Sequence, residues 1–226
     1  MESRRSLKDF YGAGYVKSFE AHQSPERLKR LLKYIKLAPD YAVADFACGS
    51  GIMMELIADK VKRYVGVDFS KSFIQSAIKK QKLLGIRNAE FSHSRIKDFC
   101  DKFGERFDVG LAMDFSEHVY DKEYLEILKS IRASLKKYGT LYVHTPNAYF
   151  FMEIMKAGNL IFRQFPEHIA VRTPEHNLSL LKEAGFSGTK LIALAHYNAL
   201  KCVHPLSYLP VVGKYFKARI FIIATK

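Results

Sequence analysis

The sequence predicts a doubly wound α/β fold: a mostly parallel, seven-stranded sheet with helices on both faces and an antiparallel strand at one edge. Three observations predict it. Short β-rich runs alternate with helical periodicities from Ser24 to His144. A glycine-rich turn joins the first of these runs to the helix after it. The last two apolar runs, Lys190–Ala195 and Ile220–Ala224, are not separated by a helix of crossover length, so they suit a hairpin-like edge.

Taken in order, Ser24 opens a helix with Pro25 at its first position and Glu26 behind it, and Leu28, Leu31, Leu32 and Ile35 give it one apolar face. Tyr41–Ala47 reads as the first strand and Gly51–Lys60 as the helix that follows. Arg63–Asp68 is the second strand. Ser70 caps a helix running to about Leu84, where Gly85 ends it. Ala89–His93 is a short third strand and Phe107–Met113 the fourth. Asp121 is expected to cap a long helix carrying Leu125, Leu128, Ile131 and Leu135 on one face, stopped by Gly139. Thr140–His144 is the fifth strand. Thr173 opens, and Gly185 closes, a helix over Pro174–Ala184.

The 226 residues suit one domain, 1–226, with an N-terminal cap over 1–23 and a lid over 147–170. The lid, from Asn147 through Phe165, is too apolar for an ordinary exposed loop, and it suits closure over an acceptor, a partner or a membrane interface. No stretch approaches the roughly 18 consecutive apolar residues of a spanning helix. The N-terminus is charged and lacks a signal core, and Cys48, Cys100 and Cys202 form no disulfide framework or metal spacing. A reducing cytoplasm is therefore expected, and no metal ligands are assigned, the sequence being silent on whether a metal assists. The net charge is +13, and no acidic residue follows Glu183. Such a surface attracts anions: phosphate-bearing substrates, nucleic acid or anionic lipid.

The segment Val43-Ala-Asp-Phe-Ala-Cys-Gly-Ser-Gly51 carries the chemistry. In an open α/β sheet, ligands bind at the carboxyl ends of strands near the switch point. Gly49 and Gly51 permit a tight turn and a close ligand. Asp68, ending the second strand, can accept both ribose hydroxyls of a nucleoside. A dinucleotide would want a third glycine, where this chain has Met54, and its pyrophosphate would meet the negative charge of Asp45. A sulfonium cofactor with a free ammonium welcomes that charge.

This segment resembles motif I of class I S-adenosylmethionine-dependent methyltransferases, whose sheet is Rossmann-like, and the likeness runs over most of the chain. The resemblance implies S-adenosyl-L-methionine as cofactor. It places the methionine part over Asp45, Ala47, Gly49 and Gly51, and the ribose on Asp68 beside Phe69. The adenine would lie near Ser94, Arg95 and Ile96, although the family's usual acid is missing at Ser94. Similar enzymes fold their N-terminal segment over the cofactor, which would bring Tyr11 or Tyr15 to the methionine end. Met113–Val119, with Asp114 and Phe115 facing the cofactor, ends in Glu-His-Val and is similar to quinone O-methyltransferases.

Methyl transfer to a hydroxyl needs a base, and histidine suits neutral pH. His118 and His168 are the first candidates and His144 the third. The expected reaction is O-methylation of a small or lipid-linked acceptor, with peripheral contact to an anionic membrane open. N-methylation of an amine such as an amino sugar, or cofactor binding without turnover, are the alternatives. Nucleic acid is disfavoured, because Asn/Asp-Pro-Pro-Tyr is absent after the fourth strand and no aromatic platform is interleaved with basic residues. The sequence is silent on oligomeric state.

Overall fold

Alternating side chains along the central strands fall into two apolar layers, one on each side of the sheet. The computed structural model describes residues 25–158, 160, 168–196 and 199–226. The expected cap over 1–23, with Tyr11, lies outside them, as do residues 159 and 161–167 of the lid.

Seven strands form one sheet in the order β3-β2-β1-β4-β5-β7-β6. They are β1 (Ala42–Phe46), β2 (Arg63–Asp68), β3 (Ala89–His93), β4 (Phe107–Met113), β5 (Leu135–Pro146), β6 (Gly188–Leu194) and β7 (Arg219–Thr225). The pairs from β3 to β5 are parallel, and β7 runs antiparallel to both β5 and β6. The hairpin-like edge is thus present, with β7 as the reversed strand and β6 outside it. The order reverses at β1, which has β2 on one side and β4 on the other. That is the switch point where such sheets take ligands.

The helices are α1 (Pro25–Lys29), α2 (Ile52–Ile57), α3 (Lys71–Leu83), α4 (Ile96–Cys100), α5 (Asp121–Ser134), α6 (Phe151–Ala157) and α7 (Pro174–Glu183). Ala44, Phe46, Val65 and Val67 share one layer with Leu128 and Ile131 of α5 and Leu180 and Leu181 of α7. Val43, Tyr64 and Leu111 share the other with Leu28 of α1 and Met53, Met54 and Ile57 of α2. Ser70 caps α3 by accepting the Phe73 N–H at 3.3 Å, and Thr173 caps α7 by accepting the His176 N–H at 3.2 Å.

Several local expectations need correction. The first helix is short: it ends at Lys29, and a 3₁₀ turn over Leu32–Tyr34 carries the chain on. Asp121 is the first residue of α5 rather than its cap, because its carboxylate is drawn to Arg172 at 2.7 Å and His176 at 3.1 Å. That helix stops at Ser134, before Gly139, because Leu135 already pairs with Phe107 in the sheet. Gly139 instead lies inside β5, where a Cβ would stand 2.9 Å from the Lys136 carbonyl oxygen.

Gly66 shows how closely β2 is packed under the glycine turn. A Cβ there would lie 2.7 Å from Phe91 and 2.8 Å from the Cys48 sulfur. Gly66→Ala is therefore expected to destabilise the protein by about 1–3 kcal/mol, the usual cost of overpacking. Urea unfolding should show a lower midpoint with an unchanged slope. An unchanged midpoint would mean that the β2–β3 packing yields freely.

Candidate active site

The turn from β1 into α2 is built from left-handed backbone. Ala47, Gly49 and Gly51 have φ of 59°, 52° and 77°. The two glycines adopt this freely, whereas Ala47 is strained. The turn is held by the Cys48 N–H donating to the Val67 carbonyl and the Gly51 N–H donating to the Cys48 carbonyl, each at 3.0 Å. Among the described residues, a Cβ on Gly49 would meet only Phe73, at 4.0 Å, so these residues leave room for a ligand above the turn.

Asp68 joins this turn to the tip of β2. One carboxylate oxygen accepts the Gly49 N–H at 3.0 Å and the other the Ser70 N–H at 2.8 Å. Each oxygen keeps a lone pair, enough for two ribose hydroxyls. Burial raises the Asp68 pKa, and the N–H groups of Ser70 and Gly49 oppose that rise. The tip of β3 closes in alongside. The Ser94 N–H donates to the Asp68 carbonyl at 3.1 Å, and His93 Nε2 lies 3.0 Å from the Phe69 carbonyl. Asp68, Phe69, Ser94 and Arg95 are therefore brought together as expected, with Phe69 and Arg95 exposed. The Ser94 hydroxyl is turned onto the Arg95 carbonyl at 3.1 Å.

Asp45 departs from its expected role as a fixed negative charge. Its carboxyl is enclosed and accepts a hydrogen bond from the Tyr64 hydroxyl. Burial pushes its pKa up to about 7, with Tyr64 opposing and the nearby Asp68 adding to the rise. It is a titrating group at neutral pH.

At the tip of β4, Asp114 also has a left-handed φ, 54°. Its carboxylate lies 2.7 Å from Arg27 of α1 and 2.8 Å from His144 Nδ1, and it accepts a hydrogen bond from Arg219 of β7. Burial alone would raise its pKa, but His144, Arg219 and Arg27 hold it well below the usual carboxylate range. Arg27 and Arg219 were not legible as site residues. Phe115, the next residue, sends its ring into the core against Tyr124, with centroids 6.0 Å apart. The expectation that its side chain faces the cofactor is corrected, because the apolar layer under α5 takes it.

The three histidines separate clearly. His144 is fully enclosed, and burial lowers its pKa against the pull of Asp114. Its geometry suits a partner for Asp114, not a base that must reach an acceptor. His118 ends a 3₁₀ turn, Ser116–His118, and its ring meets that of His168 edge-on at 5.1 Å. Burial, then the neighbouring His118, lowers the His168 pKa to about 4.

Glu117 is buried between them and the sheet. It accepts a hydrogen bond from the Thr145 hydroxyl at 3.1 Å, which in turn accepts one from Ser116 at 2.9 Å. Burial, then Asp114, raises the Glu117 pKa. Ligand atoms of Glu117, His118 and His168 all lie within 4.8 Å of one another. A carboxylate with two imidazoles suits a divalent ion as well as proton transfer. Sequence spacing gave no metal signal because His168 is far from the other two along the chain.

Arg172 fixes this turn. Its guanidinium donates to the Ser116 carbonyl at 2.6 Å and to the Val119 carbonyl, pairs with Asp121, and stacks 4.7 Å over Tyr124. The Ala170 N–H donates to the Glu117 carbonyl at 3.0 Å, tying the end of the lid to the same turn.

A glycine turn with its paired acid at the switch point defines a nucleoside-binding protein of the doubly wound class. A family model described as a methyltransferase domain matches residues 19–191, and the chain belongs to that family. A ubiquinone biosynthesis O-methyltransferase of Coxiella burnetii (strain Dugway 5J108-111) is 28% identical over 193 residues, covering 81% of this chain and 79% of the relative. One of Histophilus somni (strain 2336) is 31% identical over 134 residues, covering 57% of this chain and 55% of the relative. The chain thus spans only about half the length of that second protein. The crystal structure of an S-adenosylmethionine-dependent methyltransferase from Archaeoglobus fulgidus superposes with a TM-score of 0.68 at 19% identity, over 94% of this chain and 99% of that one. The chain is an S-adenosylmethionine-dependent methyltransferase. The open space over Gly49 and the spare lone pairs of Asp68 fit that cofactor.

Asp45 makes a test of the electrostatics. A folded-state pKa of about 7 against about 3.9 unfolded means that the native state holds the proton more tightly. Stability is thus highest below the unfolded value and is lost as pH rises toward 7, by a few kcal/mol on the order of the full shift. Asp45→Asn removes this loss, so its melting temperature should exceed the wild type's at pH 8 and converge with it at pH 4. A cationic cofactor favours the ionised form, so wild-type affinity for S-adenosylmethionine should rise with pH through 7. The Asn variant should lose that pH dependence, measured by calorimetry. A flat wild-type profile would remove Asp45 from cation recognition.

Proposed function

We propose that this enzyme methylates a hydroxyl on a small or lipid-linked acceptor, with His118 as the base. The observation that carries this is the pairing of His118, on the turn directly after β4 that Arg172 clamps, with His168 from the end of the lid. The relatives named for ubiquinone biosynthesis support an acceptor with a ring hydroxyl. Such a hydroxyl has a pKa near about 10 and reacts faster once its proton has somewhere to go.

S-adenosylmethionine supplies the methyl group, made electrophilic by the sulfonium. Asp68 would hold the ribose, and the Ala47–Gly51 turn would leave room for the methionine part. Arg27 and Arg219 are cations at the strand tips that can meet an amino-acid carboxylate, with Asp45 near an ammonium. His118 would take the proton of the acceptor hydroxyl, and the bound cofactor would supply the methyl to that oxygen, its S–CH3 bond breaking to leave the neutral thioether S-adenosylhomocysteine. Neutral His168 can accept a hydrogen bond from the imidazolium that forms, and the Glu117 carboxyl lies close to both rings. Phe151 and Phe216, half-buried with rings 5.9 Å apart and backed by the buried Phe150 at 4.7 Å from Phe151, form an apolar patch that suits a hydrophobic acceptor.

His118→Ala should lower kcat by about 10²–10⁴-fold with little change in cofactor affinity, and added imidazole should restore part of the rate. His144→Ala should instead lower the melting temperature, because it leaves Asp114 short of a partner. Equal turnover by wild type and His118→Ala would refute base catalysis by His118. The Glu117, His118 and His168 cluster favours a second reading, in which a divalent ion orients the acceptor oxygens and lowers their pKa. Exhaustive chelation separates the two. Activity that survives chelation supports the base, and activity lost and then restored by added magnesium supports the ion.

A further inference from the structure

The connection from β6 to β7 presents a run of exposed apolar side chains: Leu206, Tyr208, Leu209, Val211 and Val212. Tyr208 is 82% and Val211 87% exposed, so neither is a half-covered core residue. This tip is nonetheless firmly built. The Leu209 N–H donates to the Leu206 carbonyl at 3.1 Å, and the Gly213 N–H donates to the Leu209 carbonyl at 3.0 Å. Ser207 and Gly213 are buried against each other; a Cβ on Gly213 would lie 2.4 Å from the Ser207 carbonyl oxygen. Val211 is held at φ 62°, a left-handed conformation costly for a β-branched residue, and it points outward. A packed frame is thus holding apolar side chains in water.

The charge along this connection is of one sign. Lys201 and Lys214 are exposed on either side of the tip, Lys217 follows, and no acidic residue occurs from Ala184 to Lys226. Pairing of two copies through this surface would set lysines against lysines, which disfavours self-association. An apolar tip collared by cations complements a layer of anionic headgroups over hydrocarbon. Its position matters as well. β7 begins at Arg219, opposite Pro146 at the carboxyl end of β5, and Arg219 reaches Asp114. The tip therefore stands at the same edge of the sheet as the active site.

We propose that the Leu206–Val212 tip docks the enzyme on an anionic lipid bilayer, with Tyr208, Leu209, Val211 and Val212 entering the interface and Lys201, Lys214 and Lys217 meeting lipid phosphates. Among the described residues no helix is long and apolar enough to cross a membrane, so the contact is peripheral. The proposal does not depend on which acceptor is methylated, and its test reads binding alone.

The full chain should float with vesicles of phosphatidylcholine containing phosphatidylglycerol at low salt. It should bind vesicles of phosphatidylcholine alone far more weakly, and high salt should release it. Tyr208→Ser combined with Val211→Ser should weaken binding at least about tenfold. Each of Lys201→Gln and Lys214→Gln should weaken it about fivefold. All four positions are exposed, so circular dichroism and melting temperature should match the wild type. Unchanged binding in the Tyr208/Val211 variant would overturn the proposal. So would equal, salt-insensitive binding to both kinds of vesicle, failure of the wild type to float, or a dimer by sedimentation that the same substitutions dissolve.

Discussion

Four carboxyl groups crowd the carboxyl ends of β1, β2 and β4; Asp45, Asp68 and Glu117 are buried and Asp114 is nearly so. Removing a carboxylate from water is costly unless something takes over the role of the solvent. The chain solves this differently at each one. Asp45 has a phenol and keeps its proton up to about neutral pH. Asp68 has two backbone N–H groups. Asp114 has two guanidiniums and an imidazole, and Glu117 has a hydroxyl relay. The same compensation determines the architecture. Satisfying Asp68 fixes the glycine turn against α3, and satisfying Asp114 draws α1, β5 and β7 onto the tip of β4. An edge this rich in carboxyl groups, in a chain of net charge +13, is where a cationic cofactor is best accommodated.

What the sequence made legible follows from locality. The glycine turn, Asp68 and the caps at Ser70 and Thr173 act on neighbours a few residues away, so their patterns survive as strings of letters. Arg27, Arg172 and Arg219 act across the fold, and nothing in their flanking residues distinguishes them from the other basic side chains of a strongly basic protein. Phe115 was misplaced for a related reason. The chain leaves β4 through a left-handed Asp114, so the alternation that would have turned Phe115 toward the cofactor is broken by one backbone rotation. Asp121 was misread because its carboxylate has two choices, an N-cap or a buried arginine. The charge-assisted bond to Arg172 is the stronger of these.

Three of the four left-handed residues other than glycine among the described residues tell a connected story; the fourth, Tyr138, lies within β5. Ala47 and Asp114 occupy the two strand tips that flank the switch point, and Val211 occupies the exposed tip between β6 and β7. Each conformation costs on the order of 1–2 kcal/mol and persists only where surrounding contacts outweigh it. At Ala47 those contacts are the backbone bonds of Cys48 and Gly51. At Asp114 they are the ion pairs and the N–H donated to the His144 carbonyl at 2.7 Å. Relaxed, extended backbone at Ala47 would carry the chain straight past the cofactor space, and at Asp114 it would point the carboxylate away from its arginines. The strain thus sits where a strand must stop being a strand. The ion pairs and hydrogen bonds around those tips hold it there, with Asp68 and the glycine turn on one side of β1 and the Ser116–His118 turn on the other.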